Sequence, residues 1–309
     1  MVPILGTIAS SFDNTVAAAR GLFAGGYGGD RLANIEYVDV ATLGNGTNFG
    51  DLTQARYAHG ACASSTRGVF AAGFIGSGTT NTIDYVTIAT TGNALDFGDT
   101  TSSRYSCSGC SNSTRGLFYI PDNGGGSLIR QIDYVTIATT GNGTRFGDIS
   151  VGAVAGGACS SSTRGVFALG NTGFAYTNII EYVTIATTGD STDFGDVTVA
   201  RDSLASCGSS TRGLFAGGYG GAYSNVIDYI TIASVGNTTD FGDLTAANAS
   251  LAATSSVVRG IFAGGYVANA NTNTIDYVTI ASTGNATDFG DMATARRGHA
   301  ATSDGHGGL

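Results

Sequence analysis

The sequence repeats one pattern six times, at intervals of 47 to 49 residues. An Arg-Gly pair, an Ile-Asp/Glu-Tyr segment and a Phe-Gly-Asp segment follow one another in every repeat. A fixed period in this range is typical of a solenoid, a propeller or an array of small units. The repeated arginines are Arg20, Arg67, Arg115, Arg164, Arg212 and Arg259, and the aspartates of Phe-Gly-Asp are Asp51, Asp99, Asp148, Asp196, Asp243 and Asp291.

Each repeat divides into four segments that read as strands. In the second repeat these are residues 57–65, 67–74 and 81–90 and a last segment that begins DFGD, with Ser, Thr, Gly and Asn turns between them. The 49 glycines and the near absence of proline and glutamate disfavour long helices and suit short strands. Four strands in a unit of this length is typical of a propeller blade. We therefore predict an all-β fold, a six-bladed β-propeller of four-stranded antiparallel blades.

The two ends of the chain favour a closed ring. Residues 296–308 match residues 56–68, and the match stops where a seventh Arg-Gly pair would fall. The first repeat starts at its second strand, so the C-terminal segment can supply the missing first strand and remove both sheet edges. Residues 1–19 compete for the same position. We predict an N-terminal extension over residues 1–13 and one propeller over residues 14–309, with second strands that start near residues 21, 68, 116, 165, 213 and 260.

Charge and composition exclude several classes of function. All 14 basic residues are arginine, which removes the lysine of Schiff-base chemistry and of phosphate-binding loops. A net charge of -9 offers no electrostatic footprint for nucleic acid. No apolar run approaches the ~20 residues of a membrane span, and the first residues lack the basic region of a signal peptide. We expect no nucleic-acid partner and no membrane insertion.

The repeated polar residues are interpreted as structural. The six arginines and six aspartates can form ion pairs within or between blades, and a catalytic residue should break the repeat, since one constellation per molecule is enough. Four cysteines, Cys62, Cys110, Cys159 and Cys207, each lie five residues before an Arg-Gly pair, and we expect them to be small buried side chains. We therefore predict no catalytic residue, no cofactor and no disulfide framework.

Metal binding has little support in the sequence. The residue before Phe-Gly-Asp is aspartate in four repeats but Asn48 and Arg145 in the other two, which excludes a calcium site in every blade and leaves one or two isolated sites open. Cys107 and Cys110 form a lone Cys-x-x-Cys whose members should face opposite sides of a strand. His59 and His299 share one repeat position and are expected to make hydrogen bonds at strand ends. We predict no metal site.

The order of the motifs resembles a known family of repeats. Arg-x-x-His, a short strand, an apolar strand ending in Gly-Gly, an acid-aromatic strand and an aromatic-led last strand are similar to the kelch-type propeller repeat. The phrase IDYVTIATTGNxTDFGD resembles kelch-like repeats in structural proteins of marine bacteriophages, especially those that infect cyanobacteria. This resemblance implies a virion component such as a tail fibre, baseplate or capsid appendage, and a virion or extracellular location.

Function is sought where the repeats differ. The loops between the second and third strands vary strongly, whereas the turns at the other end are nearly constant, so we predict that the variable end meets the partner. The partner would be another structural protein or a cell-surface glycan or receptor, and self-association stays open. An intracellular scaffold and a glycan-active enzyme, with Asp30, Asp122 and Asp202 as the available carboxylates, are the alternatives. The candidate binding residues are Tyr27, Arg31, Phe74, Arg130, Phe174, Tyr176, Tyr219, Tyr223 and Tyr266.

Overall fold

The structure, a computed structural model, describes residues 19–122 and 128–309. The predicted extension over residues 1–13 and all but the last residue of the competing segment 1–19 lie outside the described residues. No helix in the described part of the chain is long and apolar enough to cross a membrane.

Twenty-six strands form six four-stranded antiparallel sheets and one short hairpin within the described part of the chain. Blade 1 contains β26 (Ala300–Ser303), β1 (Arg20–Ala24), β2 (Asn34–Asp39) and β3 (Thr47–Asp51). Blade 2 contains β4 (Gly60–Ala63), β5 (Arg67–Ala71), β6 (Thr80–Thr87) and β7 (Leu95–Arg104). Blade 3 contains β8 (Ser108–Ser111), β9 (Arg115–Tyr119), β10 (Gln131–Thr136) and β11 (Thr144–Asp148).

Blades 4 to 6 follow the same order. Blade 4 contains β12 (Gly157–Ser160), β13 (Arg164–Ala168), β14 (Ile179–Thr184) and β15 (Thr192–Asp196). Blade 5 contains β16 (Ala205–Gly208), β17 (Arg212–Ala216), β18 (Ser224–Thr231) and β19 (Thr239–Asn248). Blade 6 contains β20 (Ala252–Ser255), β21 (Arg259–Ala263), β24 (Thr274–Thr279) and β25 (Thr287–Asp291), with β22 (Tyr266–Val267) and β23 (Ala270–Asn271) as the hairpin between its second and third strands.

The inner strands close into a ring. Each of β4, β8, β12, β16, β20 and β26 contacts the inner strands of the two neighbouring blades. The chain is therefore a six-bladed β-propeller, as the repeat predicts. The last strand of the chain completes blade 1, because Gly21 pairs with Ser303 and Ala24 with Ala300. Of the two competing segments, the C-terminal one supplies the closing strand.

The glycine of each Arg-Gly pair is explained by the neighbouring blade. A Cβ atom on Gly116 would lie 2.4 Å from the sulfur of Cys62, and one on Gly213 would lie 2.6 Å from the sulfur of Cys159. Thr254 and Thr302 take the cysteine position in the remaining two blades and approach Gly21 and Gly68 in the same way. The four cysteines are free and buried, as predicted. Each thiol fills the space that the glycine of the next blade leaves open, which is the close packing expected of a protein interior.

The glycine of each Phe-Gly-Asp segment also makes room for the next blade. A Cβ atom on Gly50 would lie 2.2 Å from the carbonyl oxygen of Gly92, in the turn between the third and fourth strands of blade 2. The Gly92 amide donates to the Phe49 carbonyl at 2.8 Å, and the Asp51 amide donates to Asn93 Oδ1 at 3.1 Å. The contact recurs around the ring, and Gly290 packs against Gly44 to join blade 6 to blade 1.

The repeated arginines do not pair with the repeated aspartates, so this prediction is wrong. Arg67 stands opposite Thr87 at one end of β6, whereas Asp99 stands opposite Thr82, five residues along the same strand. At about 3.3 Å per residue the two positions are roughly 16 Å apart. The Arg67 guanidinium instead lies 4.6 Å from the centre of the Tyr85 ring in its own blade.

Each repeated arginine also reaches the next blade. The Arg115 Nη1 group donates to the Ile185 carbonyl at 2.8 Å, and Arg259 in the last blade donates to the Ala41 carbonyl of the first at 2.7 Å. The tyrosine below the arginine packs edge-on against the phenylalanine of Phe-Gly-Asp, as in Tyr134 and Phe146 with ring centres 6.1 Å apart. The column therefore combines a cation–π contact within each blade with hydrogen bonds to carbonyls of the next blade, and these hydrogen bonds join the blades.

The acids of the Ile-Asp/Glu-Tyr segments form the buried ion pairs. Asp84 accepts from the hydroxyl and amide of Thr53 in the preceding blade at 2.6 and 3.1 Å. Three of these acids also meet a buried arginine from the segment that leads into the inner strand. The pairs are Arg56–Asp84 at 3.1 Å, Arg201–Asp228 at 2.9 Å and Arg296–Glu36 at 2.5 Å.

One end of the central channel is covered by residues 304–309. His306 Nε2 lies 3.0 Å from the Ala63 carbonyl and 3.3 Å from Ser111 Oγ, and the Gly307 amide donates to the Gly208 carbonyl at 3.1 Å. These contacts reach blades 2, 3 and 5 at the end that carries the constant turns. We call it the constant end, and the end with the loops between second and third strands the variable end.

Candidate functional site

Two rings of residues surround the channel at the variable end and are joined by backbone bridges. The inner ring lies just before the inner strands and contains Tyr57, Tyr105, Val154, Asp202, Ala249 and Arg297. The outer ring lies just after the second strands and contains Tyr27, Phe74, Asp122, Asn171, Tyr219 and Tyr266. Every inner-ring residue forms an antiparallel bridge with one outer-ring residue. The backbone of the two rings is therefore sixfold regular, while their side chains differ from blade to blade.

Aromatic side chains are concentrated on one part of these rings. Tyr105, Phe74, Tyr57 and Tyr27 form one row, with successive ring centres 5.5 to 5.9 Å apart. Tyr266, Tyr223, Tyr219 and Tyr176 form a second row, with spacings of 5.3 to 6.1 Å. All eight rings are partly exposed. We call the two rows together the aromatic crescent.

Arg297 joins the two rows of the aromatic crescent. Its guanidinium carbon lies 4.2 Å from the centre of the Tyr266 ring and 5.4 Å from the centre of the Tyr27 ring. Its backbone exchanges two hydrogen bonds with Tyr27, at 2.8 and 3.2 Å. Arg297 follows the buried Arg296, whose ion pair with Glu36 fixes the backbone at this point.

The crescent ends in polar residues on both sides. The hydroxyl of Tyr105 is hydrogen-bonded to the carboxylate of Asp122, and burial together with this contact raises the pKa of Tyr105 to about 12. On the other side Asp202 accepts from the amide of Asn171 at 3.4 Å. Burial raises the pKa of Asp202, and its hydrogen bonds to Asn171 and Ser203 partly oppose that rise. The face thus has an aromatic part centred on Arg297 and a polar part with two carboxylates.

A third ring of residues forms the floor inside the inner ring. Its members are Ala58, Ser106, Ala155, Ser203, Ser250 and Gly298, each directly after an inner-ring residue, and all have φ between 54° and 63°. Hydrogen bonds connect neighbouring blades around this ring, such as Ser203 N to Ala155 O at 2.6 Å and Ala58 N to Gly298 O at 2.6 Å. The floor lines a cavity of about 130 Å³. Five of the six residues are not glycine, so the backbone here is strained.

No protein-family model and no curated protein matches this chain. The similarity to the kelch-type repeat and to bacteriophage structural proteins therefore stays a prediction, while the six-bladed propeller rests on the strand topology.

Six of the nine predicted binding residues belong to the aromatic crescent. These are Tyr27, Phe74, Tyr176, Tyr219, Tyr223 and Tyr266. The other three lie elsewhere. Arg31 is ion-paired with Asp30 at 3.1 Å and lies against Gly76 of the next blade. Arg130 donates to the Ser150 carbonyl at 3.1 Å, and Phe174 is fully exposed, in an open groove between blades 3 and 4.

Tyr57, Tyr105 and Arg297 were not among the predicted binding residues. The prediction covered only the loops between second and third strands, but the connections from one blade to the next reach the same end of the propeller. The sequence does contain a signal for these three residues, because all of them hold one repeat position, directly after an arginine. That position is Tyr57 and Arg297 in the two Arg-x-x-His motifs and Tyr105 in the third repeat, so it varies between copies as the loop residues do.

The histidines differ from expectation. His59 and His299 are buried, and neither ring nitrogen of either residue has a hydrogen-bond partner of normal geometry among the described residues, although the Ala24 carbonyl lies near His59. Leu204 and Leu251 occupy the same repeat position in blades 5 and 6. The histidines therefore lie in a column of the core between blades, which prevents the predicted strand-end hydrogen bonds.

The structure places the two members of the Cys-x-x-Cys motif apart. The sulfur of Cys107 faces Gly60 in blade 2, whereas that of Cys110 faces Gly165 in blade 4. They lie on opposite sides of their strand, as the spacing predicts. Across residues 19–122 and 128–309, no group of three or more His, Cys, Asp and Glu side chains has a geometry that could hold a metal ion.

Proposed function

We propose that this propeller is a non-enzymatic recognition module that binds its partner on the aromatic crescent. The observation that carries the proposal is the contrast between a sixfold regular backbone and side chains that differ at the same positions. Side chains that only stabilised the rings would be expected to repeat, as the arginine and glycine columns of the blades do. Variation on a rigid frame is typical of binding surfaces.

The chemistry of the crescent fits binding. Tyrosine and arginine are enriched in the residues that carry interface energy, since each offers a large contact area and a polar group. Tyrosine also has few rotatable bonds, so ordering it on binding costs little entropy. The edge-on contacts within each row, such as Tyr219 with Tyr223 at 5.3 Å, hold the rings in place before a partner arrives.

The carboxylates at this end support a binding role over hydrolysis. Glycoside hydrolases position two carboxylates on either side of one bond, about 5 to 10 Å apart. Asp30 belongs to blade 1, Asp122 to blade 3, and Asp202 leads into blade 5, so no two belong to neighbouring blades. Asp30 is 80% exposed and ion-paired with Arg31.

The proposed setting is a virion appendage, such as a tail fibre, baseplate or capsid protein, in which the module meets a structural protein or a cell-surface glycan. The support for this setting is the resemblance of the IDYVTIATTGNxTDFGD phrase to bacteriophage repeats. Sedimentation of virions from the native source tests it. Recovery of the chain with virions agrees with the proposal, whereas a free cytoplasmic monomer favours an intracellular scaffold instead.

The binding face is tested with arrays of bacterial surface glycans and of peptides. We expect the Tyr219→Ala/Tyr223→Ala double variant to lose the signal of the wild-type protein. Val235→Ala is the control, because Val235 is 58% exposed in a turn at the constant end. Binding that survives the double tyrosine change, or is lost equally in the control, would place the partner elsewhere. A wild-type protein that binds no glycan and no peptide also contradicts the proposal.

A further inference from the structure

We infer that the aromatic crescent binds a saccharide that carries a carboxylate, and that Arg297 holds that carboxylate. The inference rests on the proposed function and names the class of ligand. It starts from an asymmetry among the arginines. Of the 14 arginines, Arg297 alone has a side chain with no hydrogen bond and no ion pair to any residue in 19–122 or 128–309.

Arg297 is held in position without using its donors. Stacking against the rings of Tyr266 and Tyr27 fixes the plane of the guanidinium, while its N–H groups stay available. A planar guanidinium with free donors matches a carboxylate through two parallel hydrogen bonds. Arg297 also places a positive charge on this face of a chain whose net charge is -9, so an anion is attracted here by one local charge and not by the protein as a whole.

Three of the six floor residues next to the crescent are serines. Ser106, Ser203 and Ser250 line the cavity, and Ser106 Oγ accepts from the Ala155 amide at 2.9 Å, which leaves the hydroxyl hydrogen free to donate to a ligand. A ligand on this face therefore meets aromatic rings at the sides, hydroxyl groups below and one cation. A sugar ring has an apolar C–H face and a hydroxylated edge, and an acidic sugar adds the anion. An apolar peptide side chain would leave the hydroxyl donor of Ser106 unpaired, at a cost.

The small volume of the cavity limits how much of the saccharide can enter it. A volume of about 130 Å³ is well below the roughly 300 to 1,000 Å³ of pockets that enclose a drug-sized ligand. The saccharide therefore lies across the crescent and inserts only a small hydroxylated group between the floor residues. A linear oligosaccharide that contacts several rings fits the arc from Tyr105 to Tyr176 better than a single sugar does.

Titration calorimetry with two matched probes tests the inference. The probes are an oligogalacturonate and its methyl ester, which has the same rings without the negative charges. We expect the wild-type protein to bind the acid and to bind the ester roughly 10- to 100-fold more weakly. Arg297→Ala should weaken acid binding by a similar factor and remove the preference. Arg297→Lys should fall between them, since lysine keeps the charge but not the paired geometry.

Arg145→Ala is the matched control, because Arg145 is an exposed arginine of blade 3 that is paired with Asp148. It should bind both probes as the wild type does. Equal affinity for acid and ester, or no effect of Arg297→Ala, would overturn the inference. If only the Tyr219→Ala/Tyr223→Ala protein lost binding, the proposed binding face would be supported and the inference of an acidic ligand held by Arg297 would be wrong. A hexaglutamate peptide that binds more tightly than the oligogalacturonate through Arg297 would assign the site to a protein partner.

Discussion

Arg296 Nη2 donates to Glu36 Oε1 at 2.5 Å, and this buried pair joins residues that are 260 positions apart. Arg296 lies on the segment that enters the closing strand, and Glu36 lies in the third strand of the same blade. The Nη1 group of Arg296 also donates to the carbonyls of Gly25 and Asn34, at 3.0 and 3.1 Å. One side chain thus ties the C-terminal segment to the first repeat.

Loss of this arginine should destabilise the ring strongly. Arg296→Met leaves the Glu36 carboxylate buried without its partner, and we expect a loss of about 3–5 kcal/mol in the free energy of unfolding. The double variant Arg296→Met/Glu36→Gln removes the buried charge and should lose less. Urea denaturation measures both, with Arg56→Met in blade 2 as a reference for the same pair away from the seam. Equal losses in the single and double variants would show that the pair is not coupled.

The stability of the propeller should decrease below about pH 6.5. Burial lowers the pKa of His59 and His299 well below the usual value, and the nearby Arg56 and Arg296 add to the effect. The unfolded chain, with histidine pKa values near 6.5, then binds more protons than the folded chain at lower pH. Full stability is therefore present above that pH, and each histidine removes up to about 1.4 kcal/mol per pH unit below it.

The comparison that isolates this effect is with His59→Leu/His299→Leu, since leucine occupies the position in blades 5 and 6. Free energies of unfolding at pH 7 and pH 5 should differ less in the double variant than in the wild type. The same difference in both proteins would mean that other groups set the pH dependence.

Substitutions of Gly116 and Cys62 should have coupled effects on the free energy of unfolding, because the two residues are in contact. Gly116→Ala places a methyl group against the Cys62 sulfur, and overpacking of this kind costs about 1–3 kcal/mol. Cys62→Ala removes the sulfur, so the double variant should recover part of that loss. Gly92→Ala is the control, because a Cβ atom at that position would meet no other atom within 4 Å. Strictly additive losses in a double-mutant cycle would contradict the contact.

The four cysteines between the blades should be unreactive in the folded protein. Burial raises the pKa of Cys159 to about 12 and raises the pKa values of Cys62, Cys110 and Cys207 as well. Only the thiolate reacts, and the thiols are buried as well. With an aromatic disulfide reagent at pH 8, at most one thiol, that of Cys107, should react before unfolding, and all five should react in urea. Fast reaction of two or more thiols in the native protein would show that the blade contacts open.

Much of the fold could be read from the repeat. The second strands were predicted to start near residues 21 and 68 and were found at Arg20 and Arg67, because glycine and turn residues mark strand ends within each copy. The match of residues 296–308 to 56–68 correctly identified the closing strand. The partners of the repeated arginines were predicted wrongly, because their carbonyl acceptors lie about 70 residues away in the next blade.

By itself, the amino-acid sequence determined the number of blades, the direction of their strands and the end of the ring at which the copies differ. These properties follow from the strand and turn pattern that each repeat carries and from comparison of the six copies along the chain. The tertiary structure alone decided that Arg297 stacks between Tyr266 and Tyr27, and that eight aromatic rings form one crescent. Those contacts join residues from different blades, and their geometry is set by how the closed ring brings the blades together, which no single repeat encodes.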